Sequence, residues 1–345
     1  MHEARAPGAG PQPAGPRLLG DIGGTNARFG WQAGPQAAIT QLQVLPCLEH
    51  ARLEDAIRAY LHQQGLPPPA CAALGIANPV TGDAVKMTNH AWAFSIEGLR
   101  AALGLDRLLM LNDFSALALA LPALPPQALR AVGGGTAAPD APRALIGPGT
   151  GLGVSGLLPV GGGAEAWPLS GEGGHVTLAA STEREFRVIQ VLQARYGHVS
   201  AERVLSGPGL VDLYHALLAL EGKRGIEIVS PAQVLERAGE LPGSTANEAL
   251  ELFCGFLGSV AGDLALTLGA RGGVYVGGGI VPRLGERLKA STFRERFEAK
   301  GRFRGYLQAI PTWVIDGAAP ALLGAARALD LPVRPADPQA AASAG

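Results

Sequence analysis

The chain has 345 residues, of which 17% are charged and 47% hydrophobic, with a formal net charge of −1. That balance describes a globular protein with room for two domains, not a disordered chain. A charge near zero gives no general attraction to nucleic acid or an anionic membrane, and the longest apolar run, 116–124, is too short to span a bilayer.

Residues 1–16 are rich in Gly, Pro and Ala without an apolar centre, and read as a loose tail rather than a signal peptide. Residues 18–30, LLGDIGGTNARFG, read as strand, tight glycine turn, strand. The paired Gly23 and Gly24 permit positive φ and bring bare N–H groups close to an anion. Thr25 adds a hydroxyl donor. Asp21 beside such a hole repels a phosphate unless a divalent cation lies between them. The stretch reads either as a Mg-nucleotide loop or as an ordinary hairpin turn. A third strand follows over 38–45. Leu53, Ile57, Tyr60 and Leu61 give 53–63 the spacing of a helix, stopped before Gly65 and the prolines of 67–69. A buried strand over 72–77 precedes a hairpin over 80–89 that turns at Gly82-Asp83. Ser95 is the expected N-cap of a helix over 96–103, with Gly104 as its stop. An apolar strand over 107–111 runs into Asn112-Asp113 and a helix over 114–121.

Residues 133–142 read as a linker, and 145–157, LIGPGTGLGVSGL, then repeat the opening pattern with Gly147, Gly149, Thr150, Gly151 and Gly153. Neither glycine hairpin is a P-loop, because Lys86, Lys223, Lys289 and Lys300 all lie outside a GxxxxGK[ST] context. Neither matches GxGxxG opening a helix, which disfavours a Rossmann site. Thr182 and Glu185 form a capping box for a helix reaching 196. Helical segments follow over 201–205, 210–220, 231–241 and 246–268. A short strand, 274–276, enters Gly277-Gly278-Gly279. Helices over 284–290 and 293–300, a strand over 313–315 and a helix from Pro320 to about 329 precede a polar tail, 331–345. Two glycine hairpins, each opening a block of helices and strands, point to a duplicated nucleotide-binding unit. They suggest an actin-like fold whose two α/β domains face one another across a cleft.

Asp113 follows an apolar strand, where ligands of α/β sheets gather. It reads either as a general base toward a hydroxyl or as the cap of the helix behind it. SGEGGH, 170–175, brackets Glu172 and His175 with glycines and reads either as a hydroxyl-binding pair, since Glu accepts and His does either, or as half of a metal site, for which the sequence offers no second His/Cys cluster nearby. His198 and Glu202 are spaced i, i+4, which is either a metal pair or a coincidence of surface residues. Cys47, Cys71 and Cys254 are far apart and form no CxxC, so neither a zinc site nor a disulfide framework is indicated. A reducing cytoplasm is the expected compartment.

GDIGGTNAR (20–28), TNHAWAFS (88–95), LNDFSALALALP (111–122), GPGTGLGV (147–154), GEGGHV (171–176), SAERVLSGPGL (200–210), GGGIVPR (277–283) and KGRF (300–303) occur in this order. The set resembles the bacterial glucokinase family, the hexokinase-related branch of the actin-like superfamily, over nearly all of 18–329. The resemblance implies an α/β, actin-like (ribonuclease H-like) two-domain sugar kinase fold with a central cleft. It places a smaller domain at 17–122 plus 318–330 and a larger one at 123–317, between flexible tails at 1–16 and 331–345. It implies ATP-dependent phosphorylation of D-glucose at its 6-hydroxyl, the first step of glycolysis, with cleft closure on the sugar. Asp113 is then the general base, and Asn112, Glu172, His175 and Glu202 bind sugar hydroxyls. Gly20, Asp21, Ile22, Gly23, Gly24 and Thr25 form one phosphate loop; Gly147, Gly149, Thr150 and Gly151 form the other. Gly277, Gly278 and Gly279 belong to the adenosine pocket, and Asp21 steers Mg²⁺ through water. A cytoplasmic homodimer is implied, with no nucleic-acid or membrane partner. Pro148 departs from the small residue common in the family, and the zinc-binding cysteines of the neighbouring repressor-and-kinase family are missing. A kinase for another hexose and a sugar-independent actin-like ATPase are the alternatives. A sugar-sensing transcriptional regulator would need a DNA-binding domain for which the short tails leave no room.

Overall fold

The computed structural model describes residues 1–5, 15–161, 165–223, 228–241, 243–317 and 319–332. The chain divides into two units, Met1–Ala123 with Ala319–Gly345, and Leu124–Ala318.

The first unit is built on strands β1 (His2–Arg5), β2 (Arg17–Ile22), β3 (Asn26–Gln32), β4 (Ile39–Pro46), β5 (Cys71–Ile76), β6 (Ala84–Lys86), β7 (Ala93–Ser95) and β8 (Arg107–Asn112). Its main sheet has the order β1-β8-β5-β2-β3-β4. β2, β5 and β8 run parallel, and β3 and β4 return antiparallel. Every residue of Cys71–Ile76 is buried, as a parallel strand covered on both faces requires. Leu53–Gln63 buries Leu53, Ala56, Ile57 and Tyr60 along one stripe. Ser95 caps Ile96–Leu103 by accepting from Gly98 N–H, and Gly104 stops it in the left-handed region at φ 66°. Helix Pro320–Asp330, from the far end of the chain, closes this unit. Gly324 lies so close to Ala116 O that no Cβ fits. The buried Arg107 donates to Leu329 O at 2.9 Å, and buried Arg17 pairs with Asp330 at 2.8 Å.

Two expectations need correction here. His2–Arg5, expected in a loose tail, is an edge strand antiparallel to β8, anchored by Glu3 on the Arg107 guanidinium. The rest of that tail, 6–14, and the expected C-terminal tail from 333 lie outside the described residues. The hairpin expected at 80–89 is instead β6 paired with β7, turning between Lys86 and Ala93. Asp83 is not in a turn tip; its carbonyl and carboxylate accept from Ile96 and Glu97 N–H at the next helix's start.

The second unit has strands β9 (Leu129–Gly133), β10 (Arg143–Pro148), β11 (Leu152–Val160), β12 (Glu165–Ser170), β13 (Val274–Val276) and β14 (Thr312–Ile315). Its sheet order is β12-β11-β10-β13-β14-β9. The two sheets correspond strand for strand. Each has an antiparallel three-strand meander, two parallel strands beyond its first member, and an antiparallel sixth strand outside those. This duplication is the actin-like arrangement. Helices surround the second sheet, and Thr245–Leu268 runs through its core with Phe253, Phe256 and Leu257 buried. That helix is long and apolar enough to cross a membrane, yet 67% of its apolar window is buried within the unit.

Candidate active site

In the first unit, a glycine turn joins β2 to β3 at the carboxyl end of the parallel strands. Gly23 N–H donates to Asn26 O at 2.9 Å. Contrary to expectation, Gly23 and Gly24 do not use positive φ. Glycine is needed at 24 for another reason: a Cβ there would lie 2.7 Å from Asn89 Cβ and 2.9 Å from Asn89 O. Cys47 braces the turn, its N–H donating to Thr25 O at 2.8 Å and its thiol to Gly23 O at 3.4 Å. Gly20, Asp21 and Ile22 belong to β2 itself, beside Leu74, Gly75 and Ile76 of β5.

Asp21 stands opposite Arg28 on β3, and Arg28 Nη1 donates to its Oδ2 at 2.9 Å. Burial raises the Asp21 pKa, and the Arg28 charge opposes the rise. Asn112 ends β8 and is the N-cap of Asp113–Ala120; its side-chain oxygen accepts from Phe114 and Ser115 N–H. The capping role considered for Asp113 therefore belongs to Asn112, and Asp113 is the first helical residue. Its Oδ1 accepts from Asn112 Nδ2 and Phe114 N–H, each at 2.9 Å. Burial is the main cause that lifts the Asp113 pKa to about 7; the Phe114 N–H opposes this and the Asp21 charge adds to it. A half-buried carboxylate poised near neutrality is suited to accept a proton from an alcohol.

In the second unit, the turn Gly149-Thr150-Gly151 joins β10 to β11. Gly149 N–H donates to Gly151 O, and Gly207 N–H to Gly149 O, both at 2.8 Å. Gly147 lies in β10, and Gly277 N–H donates to Ile146 O at 2.8 Å. Gly278 takes φ 81°, and a Cβ added there would overlap Pro148 O, leaving no space for a side chain. Gly277–279 thus follow β13 directly alongside the second turn.

Glu172, His175 and Glu202 come together. His175 Nε2 is 4.0 Å from Glu172 Oε2, and its Nδ1 is 3.9 Å from Glu202 Oε1. Glu202 Oε2 accepts from Leu152 N–H at 2.8 Å, which joins this group to the glycine turn. His198 lies outside it. The helix carrying Glu202 is Ala201–Val204, so the two do not share a helix face, and the His198 ring meets Thr177 Oγ1 at 3.0 Å. Among the described residues no three His, Cys, Asp or Glu side chains form a metal-holding group. The three cysteines are buried and free.

Several contributors were not singled out from the sequence. Asn89 fixes the glycine at 24, Asn78 accepts from both Thr88 N–H and Oγ1, and Cys47 and Gly207 brace one turn each. Thr88 and Asn89 lie inside the TNHAWAFS motif, which was the available signal.

Comparison with known proteins identifies the family. The family profile described as glucokinase matches residues 18–331. The chain is 58% identical to a glucokinase of Aromatoleum aromaticum over 316 residues, covering 91% of this chain and 95% of that one. It is 56% identical to a glucokinase of Chromobacterium violaceum, covering 91% and 89%. Among solved structures it is similar to a glucokinase from an Antarctic psychrotroph, with a TM-score of 0.82 and 36% identity over 91% of this chain and 98% of the other. A glucokinase of Balamuthia mandrillaris in complex with glucose, 19% identical with a TM-score of 0.74 over 92% of this chain and 93% of that one, shares the fold.

Proposed function

The chain belongs to the glucokinase family, and from that premise we infer that it transfers the γ-phosphoryl group of ATP to the 6-hydroxyl of D-glucose, giving glucose 6-phosphate and ADP. Asp113 supports this most directly. Its Oδ1 is taken by two donors, which leaves Oδ2 for the hydroxyl proton, and its pKa of about 7 suits a base at neutral pH. In the proposed step, the O6–H bond breaks as its proton passes to Asp113, O6 bonds to the γ-phosphorus, and the bond to the β–γ bridging oxygen breaks to release ADP. Positioning and charge compensation carry such a transfer, with little covalent chemistry for the protein to do. Thr25 and Thr150 and the N–H groups of the two turns hold the phosphates, and Gly277–279 border the adenosine. Asn112, Glu172, His175 and Glu202 hydrogen-bond the sugar.

Mg²⁺ is part of the proposal, and Asp21 is the residue that would hold it through water. Arg28 occupies Oδ2, while Oδ1 accepts no hydrogen bond among the described residues, and a carboxylate oxygen suits a hard divalent cation. When bound, the ion neutralises charge on the triphosphate. We further propose a cytoplasmic homodimer acting at the entry to glycolysis.

The test is ADP release from Mg-ATP without sugar and with each of several hexoses. Stimulation by glucose above the others is the expected result. Stimulation by a different hexose alone changes the substrate, and sugar-independent hydrolysis rejects the kinase.

A further inference from the structure

Glu202 holds two things at once. Its Oε1 faces His175, while its Oε2 accepts from Leu152 N–H, the first residue after the glycine turn. Gly151 is bare at this contact: a Cβ there would overlap Glu202 Oε2. A trans peptide sets its C=O and N–H in opposite directions. Drawing Leu152 N–H toward Glu202 therefore aims Gly151 O the other way, where it accepts from Gly149 N–H at 2.8 Å. The segment beyond Glu202 takes the other end of the turn, with Gly207 N–H on Gly149 O. Ala201 N–H donates to Val176 O at 2.9 Å, so the same segment is tied to the strand of chain carrying Glu172 and His175.

We propose that Glu202 is a positioning residue for the second phosphate loop as well as a sugar ligand, so that sugar binding and nucleotide binding strengthen one another through this one side chain. The inference rests on the functional reading above, which makes the loop a phosphate site and His175 a sugar contact. The hydrogen bond from Leu152 N–H to Glu202 Oε2 fixes the loop before nucleotide arrives. Sugar hydroxyls that order Oε1 order Oε2 with it. Coupling of this kind is reciprocal in the binding equilibria.

The experiment measures the Kd of Mg-adenylyl imidodiphosphate, with and without saturating glucose, for the wild type, Glu202→Ala, Glu202→Gln and His175→Asn. Simple electrostatics and bracing predict opposite signs. Removing a negative charge beside an anion site tightens anion binding, whereas removing a brace loosens it. We expect Glu202→Ala to weaken nucleotide binding in the absence of sugar by about fivefold or more. Glu202→Gln, whose amide oxygen still accepts from Leu152 N–H, stays within about twofold of the wild type. Glucose tightens nucleotide binding in the wild type and not in Glu202→Ala. His175→Asn weakens glucose and leaves the sugar-free nucleotide Kd unchanged. Nucleotide binding by Glu202→Ala that equals or exceeds the wild type overturns the proposal. If that variant does not fold, Glu202→Asp, too short to reach Leu152 N–H, is read by the same criterion. A wild type that binds no nucleotide rejects the kinase reading itself, a different outcome from a wild type that binds and a variant that does not differ.

Discussion

Asn112 caps the helix that Asp113 begins, and its amide nitrogen donates to Asp113 Oδ1 at 2.9 Å. One residue thus starts the helix and fixes the rotamer of the carboxylate beside it. Asp113 is released from capping and keeps one oxygen for substrate.

Asp113→Asn keeps the shape of the site and removes the base. Turnover is expected to fall by about 10²–10⁴-fold, with glucose KM within a few-fold of the wild type. Steady-state ADP release gives both constants, and near-normal turnover would reject the assignment of the base.

The same group makes activity and stability depend on pH in opposite senses. The base must be ionised, so kcat/KM falls as pH drops below about 7. For stability, the folded pKa lies above the ordinary 3.8, so the folded state holds a proton that the unfolded state has lost between those values. Stability from this group is therefore full below about 4 and declines as pH rises toward 7. Asp113→Asn should raise Tm at pH 8 and change it little at pH 4. Thermal melts at the two pH values check the sign.

Asn112→Ala removes a cap, at about 0.5–2 kcal/mol, and a donor that favours ionised Asp113. The acid limb of kcat/KM should move to higher pH. A lower Tm with an unmoved limb would limit Asn112 to capping.

Gly278→Ala places a Cβ at φ 81° and against Pro148 O. The strain is about 1–3 kcal/mol, and relief has to come from the second phosphate turn. KM for ATP should rise several-fold while KM for glucose stays near the wild type.

Cys47 separates donor from volume. If its thiol orients the first turn through Gly23 O, Cys47→Ser keeps the donor and Cys47→Val loses it. Cys47→Val should then raise KM for ATP more than Cys47→Ser does. The reverse order would make Cys47 a packing residue.

Features decided within a few residues were legible in the sequence. Ser95 and Gly104 bound one helix, and Thr182 with Glu185 opens another as a full capping box. Pairings between distant segments were not. β1 is four residues long, and its partner β8 lies a hundred residues on. The Gly82-Asp83 signal looked like a turn because nothing local shows that Asp83 serves the helix at Ile96. Gly23 and Gly24 marked the turn in the sequence, but close approach to Asn89, not φ, demands the second of them. The family was legible from ordered motifs spread along the chain. The energetics of the candidate site were not, because the Asp113 pKa depends on burial and on Asp21, ninety-two positions earlier in the chain.

Helix Pro320–Asp330 completes the core around Ala116, Gly30 and the buried Arg17 and Arg107. On the ribosome, residues 1–123 emerge first, yet their closing helix appears only after all of 124–318 has been made. The half of the protein that carries Asp113 is thus begun first and finished last. Until Pro320–Asp330 has been made, Asp113–Ala120 lacks the helix that packs on it. The uninterrupted segment 124–318 has all its strands in hand by Ile315 and can settle ahead of it.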